Sequence, residues 1–473
     1  MTLSRRGFLA ASATAAALTT VHAASASAAT TSQYQVSTGS VDITPAAGYP
    51  MAGYGTDTPR LSQGTNEPLR ARCTVLWDSG TPNVIVTADV LAFGAALHQV
   101  IRSKVIQLGV ASADFVLTAT HTHNGPVLPE KLDPYISYNL TNTAQIQQYA
   151  DQLAQTLADL VATTLASTRS TVTLDYQVVD EDFSRNRAGL SYVERDVPVL
   201  VARGTDGKPR AVLFSYGAHP VAAGSQTLFD PDYPAEAIKE IEAFGPGVFA
   251  QFILGPAGDQ NPHTTGSVAV SDSFGSDLGT TVRDAIGQPG RTITGGIASQ
   301  YERVTLPLDI TVTSANLAAV KAAYDRHAAA PGTIGYARRH AQRMSAAATN
   351  RSFATTVDLP LQVWKFTGTS GLKMVFTGGE IVSGYAVYFR ARNGGSNNLW
   401  FSGYANEVPA YIPSNELLAR DSYEAGIDSD SPGIAGGSMS VYNHFGHFLR
   451  KTSSTAPDGV EEKMVAAITR MLA

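Results

Sequence analysis

The chain of 473 residues contains one cysteine, Cys73, so no intrachain disulfide can brace it in any compartment. Charged side chains make up only 16%, and no cluster of Lys or Arg stands out, which argues against nucleic acid as a partner. The H-E-x-x-H, G-x-S-x-G and dinucleotide fingerprints are all missing, which removes the commonest competing hydrolase and cofactor classes. Gly207-Lys208 has the wrong spacing for a phosphate loop and opens no helix. No internal repeat, coiled coil or disordered tail stands out.

What is present begins with Ser4-Arg5-Arg6-Gly7-Phe8-Leu9, an Ala/Leu/Thr-rich stretch to Val21 and small residues through Ala26-Ser27-Ala28. This reads as a twin-arginine signal peptide over residues 1–28, and it implies a secreted, periplasmic or cell-surface protein. Its apolar part is shorter than the roughly 20 residues that span a bilayer, so no integral membrane segment is expected in the mature chain. Two of the 34 basic side chains, Arg5 and Arg6, leave with such a leader; 32 then face 40 acidic ones, a charge near −8. With 44% hydrophobic residues, 29–473 can bury a large core, as one domain in two lobes with a seam near 288–296. Leu69 to Leu76 alternates like a strand, making Cys73 a core thiol rather than a nucleophile.

Apolar periodicity predicts a strand over Val84–Val90, a helix over Ala95–Leu108 stopping at Gly109, and a strand over Phe115–Ala119. A strand-helix-strand unit implies two parallel strands, within an α/β fold of a mixed sheet with flanking helices. A helix follows at Thr143–Ser167, and alternation from Thr171 gives further strands, with a hairpin turn at Gly204–Pro209 between two of them. Val248–Leu254 reads as a buried strand, Ala315–Ala329, Gly335–Ala348 and Gly459–Met471 as helices, and Leu361–Phe366 and Met374–Phe376 as strands.

Thr120-His121-Thr122-His123-Asn124-Gly125-Pro126 is the most informative segment. Two imidazoles two residues apart project from the same face of an extended strand, at a strand-to-loop edge, which is metal-site geometry. His219, in Gly217-Ala218-His219-Pro220, follows another apolar strand and reads either as a packing residue or as a ligand. Glu380, after Gly378-Gly379, reads either as an acid favoured by the start of a helix or as a ligand. Tyr404, Tyr411 and Tyr423 are open to ordinary aromatic packing. His444 and His447 favour packing over a second metal, and His327 and His340 are expected to face solvent.

Taken together, these pieces resemble the neutral and alkaline ceramidases, zinc amidases that cleave the N-acyl bond of ceramide. The resemblance runs in order through Val41-Asp42-Ile43-Thr44-Pro45, Gly53-Tyr54-Gly55, Pro68-Leu69-Arg70-Ala71-Arg72 and the His121-x-His123 segment. It continues through Arg185-Asn186-Arg187, Ala218-His219-Pro220, Asp232-Tyr233-Pro234, Gly258-Asp259, Gly379-Glu380, Tyr404-Ala405-Asn406, Tyr411 and Tyr423. Carried over, it implies a single large catalytic domain with zinc held by His121, His219, Glu380 and Tyr411, and His123 placed for proton transfer or for orienting water. Arg187 would stabilise an oxyanion, and Tyr423 would donate to substrate.

There are two departures. Where the family carries a serine after Gly-Asp-x, this chain has Asn261, which can donate a hydrogen bond but cannot be acylated. The resemblance also stops at the closing helix, short of the immunoglobulin-like domain of longer members. The expectation is an exported zinc hydrolase cleaving the amide of an N-acyl substrate, ceramide or something smaller. A zinc esterase or deacylase on lipids or acylated glycans, and a non-catalytic zinc-containing surface protein, are the competing readings. Oligomeric state and pH optimum are left open.

Overall fold

A computed structural model describes residues 34–54, 58–129, 143–309, 313, 317–333, 335–369, 371–420, 422–426 and 447–473. The expected leader and His444 lie outside these residues. A nine-stranded mixed sheet holds β1 (Tyr34–Asp42), β2 (Arg70–Asp78), β3 (Thr81–Ala88), β4 (Phe115–Ala119) and β5 (Ser170–Asp180). A short β6 (Ser184–Asn186) lies outside it, and β7 (Asp196–Gly204), β8 (Pro209–Tyr216) and β9 (Phe249–Leu254) continue it. The order is β4-β3-β2-β1-β5-β7-β8-β9. Off this path, β10 (Gln260–Pro262) pairs with β6, and β11 (Arg291–Ile293) with β5.

From the central antiparallel pair β1/β5, both arms follow one plan. Two antiparallel steps, β1–β2–β3 or β5–β7–β8, are followed by one parallel step, β3–β4 or β8–β9. Each parallel step crosses through a helix, α1 (Ala95–Gln107) or α3 (Tyr233–Glu242), and each arm closes with another, α2 (Ala144–Ala166) or α4 (Val268–Ile286). The topology therefore repeats where the sequence revealed no repeat. Local chemistry sets the limits of these helices. Gly109, at φ +90°, follows the end of α1, while the Asp232 carboxylate caps α3 and Ser267 caps α4.

The sheet curls until its ends meet. Strands β4 and β9 touch, and Gln251 on β9 donates to Thr87 Oγ1 on β3 (3.0 Å) and to the Arg72 carbonyl on β2 (3.2 Å). Residues 403–406 run between these end strands: Gly403 N donates to the Leu254 carbonyl (3.3 Å), Ala119 N to that of Tyr404 (3.4 Å), and Asn406 N to that of Leu117 (2.6 Å).

The second sheet, order β12-β13-β14-β16, consists of β12 (Ile297–Pro307), β13 (Thr356–Phe366), β14 (Lys373–Thr377) and β16 (Leu399–Ser402). Between β12 and β13 the chain forms α5 (Leu317–Ala329) and α6 (Gly335–Asn350). Side chains alternate across each strand, so Trp364, Phe376 and Trp400 pack on the first sheet. On the opposite face, Leu361, Val375 and Phe401 pack on α7 (Ser383–Arg392) and α9 (Val460–Leu472), α8 (Asn415–Leu418) being a single turn. The other face of the first sheet is covered by α1 to α4. The layers therefore run helix, sheet, sheet, helix, and Ser32–Ala473 cluster as one compact unit.

The predicted β3-α1-β4 unit, the β7/β8 hairpin and the buried Cys73 are all found. One expectation needs correcting: His340 is buried against Tyr324 in the α5/α6 pair, and His327 is half-buried. Among the described residues no helix is long and apolar enough to cross a membrane.

Candidate metal centre

The loops leaving β4 and β8 come together where the curled sheet closes. His121 follows β4 but is not extended as the sequence pattern suggested: its φ is +66°, a left-handed conformation that costs an imidazole-bearing residue energy. His121 N donates to the Val90 carbonyl (3.0 Å), and Nδ1 lies 2.6 Å from that of Leu91, both from the loop after β3. A turn, not strand alternation, thus brings the His121 and His123 rings to 4.9 Å between centroids. In the other arm, His219 Nδ1 lies 2.6 Å from the Ala257 carbonyl in the loop after β9.

A ring nitrogen that close to a carbonyl must carry the proton, which leaves both Nε2 atoms as bare acceptors in the neutral rings. They face one carboxylate oxygen. His121 Nε2 is 3.3 Å from Glu380 Oε2, and His219 Nε2 is 3.2 Å from the same atom. His123 Nε2 stands 3.3 Å from His121 Nε2, and the Tyr411 hydroxyl 3.5 Å from His219 Nε2. Glu380 and Tyr411 are direct partners in a two-stranded parallel ladder, β15 (Glu380–Ile381) with β17 (Tyr411–Ile412).

Acceptors facing acceptors at this range repel unless a cation lies between them. The spacing suits one: two donors each about 2.0–2.1 Å from a tetrahedral zinc lie about 3.3 Å apart. The ligand nitrogens of His121, His123 and His219 all fall within 4.8 Å of one another. Protonation states agree. Burial, with the Arg187 charge nearby, lowers His219 to about 4, and burial with the neighbouring imidazoles holds His123 well below its ordinary value. Burial works to raise Glu380, and His121 and His219 hold it well below its ordinary value only in so far as they carry charge or donate to it; with both Nε2 atoms bare, that role falls to a cation between them. Burial and the Glu380 charge raise the Tyr411 phenol.

The surrounding residues hold this cluster in place. Arg60 donates to the His123 carbonyl (2.5 Å) and to Asn124 Oδ1 (2.6 Å), and the Tyr54 ring stands edge-on to His123. Arg187 donates to Glu424 Oε1 (2.8 Å), the Gly258 carbonyl (2.8 Å) and Asn261 Oδ1 (3.3 Å). Its guanidinium lies 5.4 Å from the Tyr411 ring centroid and 5.0 Å from that of Tyr423. Tyr423, 41% exposed, stands edge-on to Tyr411, and half-buried Asn261 follows Gln260, whose carbonyl accepts from His219 N. All eight residues singled out in the sequence therefore lie in or around one cluster.

Two residues at the site were not singled out. Glu424 holds Arg187; its adjacency to Tyr423 was the only available signal. Tyr404 was noted as possible packing and as part of the resemblance but was given no role, yet its ring sits 4.5 Å from that of His121 and its hydroxyl 3.4 Å from Glu380 Oε2.

No protein-family profile and no curated protein sequence matches the chain. Among solved structures, the neutral ceramidase of Pseudomonas aeruginosa aligns with a TM-score of 0.64 at 18% identity, over 87% of this chain and 72% of that one. A ceramidase complexed with C2 aligns with a TM-score of 0.64 at 17% identity, over 87% and 73%. The chain has a neutral ceramidase-like fold.

Proposed function

We propose that the protein is an exported zinc-dependent amidohydrolase that cleaves the amide of an N-acylated substrate, either ceramide or a smaller N-acyl compound. The observation carrying this reading is the acceptor-only convergence of His121, His219 and Glu380, with Tyr411 beside them, on a neutral ceramidase-like fold. Zinc held by these four residues would supply a Lewis acid for the scissile carbonyl and a water acidic enough to attack at neutral pH.

The chain's own residues supply the rest. His123, neutral and with a buried Nδ1 that has no hydrogen-bond partner, would take a proton and pass it to the leaving amine. Arg187 keeps its charge beside the phenols and Glu424, adding positive potential for the oxyanion. Because Asn261 Oδ1 accepts from Arg187, its Nδ2 hydrogens point away from the guanidinium and can donate to the acyl oxygen. Tyr423, at the exposed edge, would donate to the substrate. Export rests on the Arg5-Arg6 leader.

The test combines metal analysis of the purified protein with hydrolysis of N-acyl and O-acyl chromogenic substrates, before and after chelation. One zinc per chain and chelator-sensitive amide cleavage are expected. Faster cleavage of esters would favour the esterase or deacylase reading, and retained zinc without turnover the non-catalytic one. Absence of stoichiometric metal in active protein would end the zinc reading.

A further inference from the structure

Tyr404 combines observations that ordinary packing does not explain. It is 1% exposed and adopts φ +57°, a conformation aromatic residues rarely take. Such strain persists only when the surroundings impose it, and they do so from both sides. Tyr404 N donates to the Gly379 carbonyl (3.1 Å), its carbonyl accepts from Ala119 N (3.4 Å), and Ala405 N donates to the Thr377 carbonyl (2.9 Å).

Downstream, Asn406 (φ +65°) accepts from Arg102 Nη2 (2.7 Å). Glu407 accepts from Arg303 Nη1 (2.7 Å) and Nη2 (2.8 Å) and lies 2.9 Å from His98 Nδ1. The segment that joins the ends of the curled sheet is thus fixed by buried Arg102 and His98 from α1 and by exposed Arg303 on β12. Its one side chain aimed at the cluster is Tyr404, whose ring lies against His121 and whose hydroxyl reaches Glu380 Oε2, the oxygen both imidazoles face.

We infer that Tyr404 is a positioning residue for metal binding: its hydroxyl fixes the rotation of the Glu380 carboxylate so that Oε2 faces the two Nε2 atoms, while its ring sets the tilt of His121. This rests on the zinc reading proposed above. A hydrogen bond to a ligating carboxylate usually changes metal affinity by about 10- to 100-fold.

Tyr404→Phe keeps the ring and removes only the hydroxyl. Zinc affinity is measured by competition with a chelator of known strength, alongside the melting temperature of the metal-free protein and the d–d spectrum of the cobalt-loaded form. The expected result is a 10- to 100-fold weaker zinc dissociation constant, a shifted cobalt band and an unchanged metal-free melting temperature. Zinc bound as tightly by Tyr404→Phe as by the wild type would overturn the inference and leave the zinc reading intact. A drop in metal-free melting temperature with unchanged zinc affinity would also overturn it, marking a purely structural residue. Wild-type protein that binds no zinc would overturn both.

Discussion

The two arms of the first sheet share strand order, pairing sense and crossover helices, yet they carry different chemistry. The arm built by β1 to β4 delivers His121 and His123 after its outer strand, β4. The arm built by β5 to β9 delivers His219 after its inner strand, β8, while the loop after its outer strand supplies the Ala257 carbonyl that orients the ring. Each arm thus contributes one imidazole fixed through Nδ1 by a loop from the neighbouring parallel strand. Only the first arm adds another histidine. The repeated plan sets where loops converge, and the residues on them decide what the convergence does. Neither arm contributes a side-chain oxygen to the cluster: Glu380 and Tyr411 come from the short ladder beyond the second sheet.

If the arms contribute equally, His121→Ala and His219→Ala should do the same damage. Each removes one of the proposed ligands, so both should lose stoichiometric zinc by elemental analysis and reduce amide hydrolysis to background. Zinc retained in one variant and lost in the other would show that one arm carries the site and the other only scaffolds it.

Glu407 distinguishes the arms next, since it ties the first arm's helix, through His98, to the second sheet, through Arg303. Glu407→Ala leaves the exposed Arg303 guanidinium and the buried His98 ring without their shared acceptor and should cost about 1–3 kcal/mol in urea unfolding. Burial would raise the Glu407 carboxyl, but hydrogen bonds from Arg303 and His98 outweigh it and bring it to about 2. Between the ordinary glutamate value near 4.5 and about 2, the unfolded chain binds the proton and the folded one does not, so stability falls as pH falls through that window. Unfolding free energies of wild type and Glu407→Gln measured across it should converge toward low pH; a constant gap would contradict the ion-pair account.

Gly53 tests what is peculiar to the first arm. It sits at φ +101°, and a Cβ there would lie 2.4 Å from His123 Cα. Gly53→Ala should cost about 1–3 kcal/mol from strain and displacement, with zinc retained and kcat lowered as His123 moves. Loss of zinc in this variant would make His123 a ligand rather than a proton carrier.

What the sequence disclosed follows from the range of the forces involved. The Phe115–Ala119 strand, α1 and α2 were legible because apolar periodicity is local, and the H-x-H pair because its residues are adjacent. The left-handed turn at His121 depends on carbonyls some 30 residues earlier, at Val90 and Leu91, and no local pattern encodes that. The Glu380–Tyr411 pairing uses two-residue strands, too short to show alternation, and was reached only through resemblance. Tyr404 looked like packing because its function depends on a conformation invisible in the letters. The duplicated arms escaped notice because topology can persist on packing alone, without matching residues. His340 was misjudged because its neighbours in sequence are polar while its neighbour in space is Tyr324.

The smallest expected effect is at Asn261. Its backbone pairs with Arg185 in the β6/β10 ladder and its side chain touches Arg187, so it belongs to the second arm's rim and not to the ligand cluster. Asn261→Ser should leave zinc content unchanged and alter the rate or the preference among acyl substrates by no more than about tenfold, the effect of one hydrogen bond. A serine hydroxyl is shorter and can turn its oxygen or its hydrogen toward Arg187, so the fixed donor direction imposed by the amide would be lost. A larger change confined to kcat would mean that the amide donates to charge developing in the reaction; a change confined to KM, that it grips the ground state. If Asn261→Ser expelled zinc, the second arm's rim and its ligand would not be separable, and the division of labour between the arms would fail at that point.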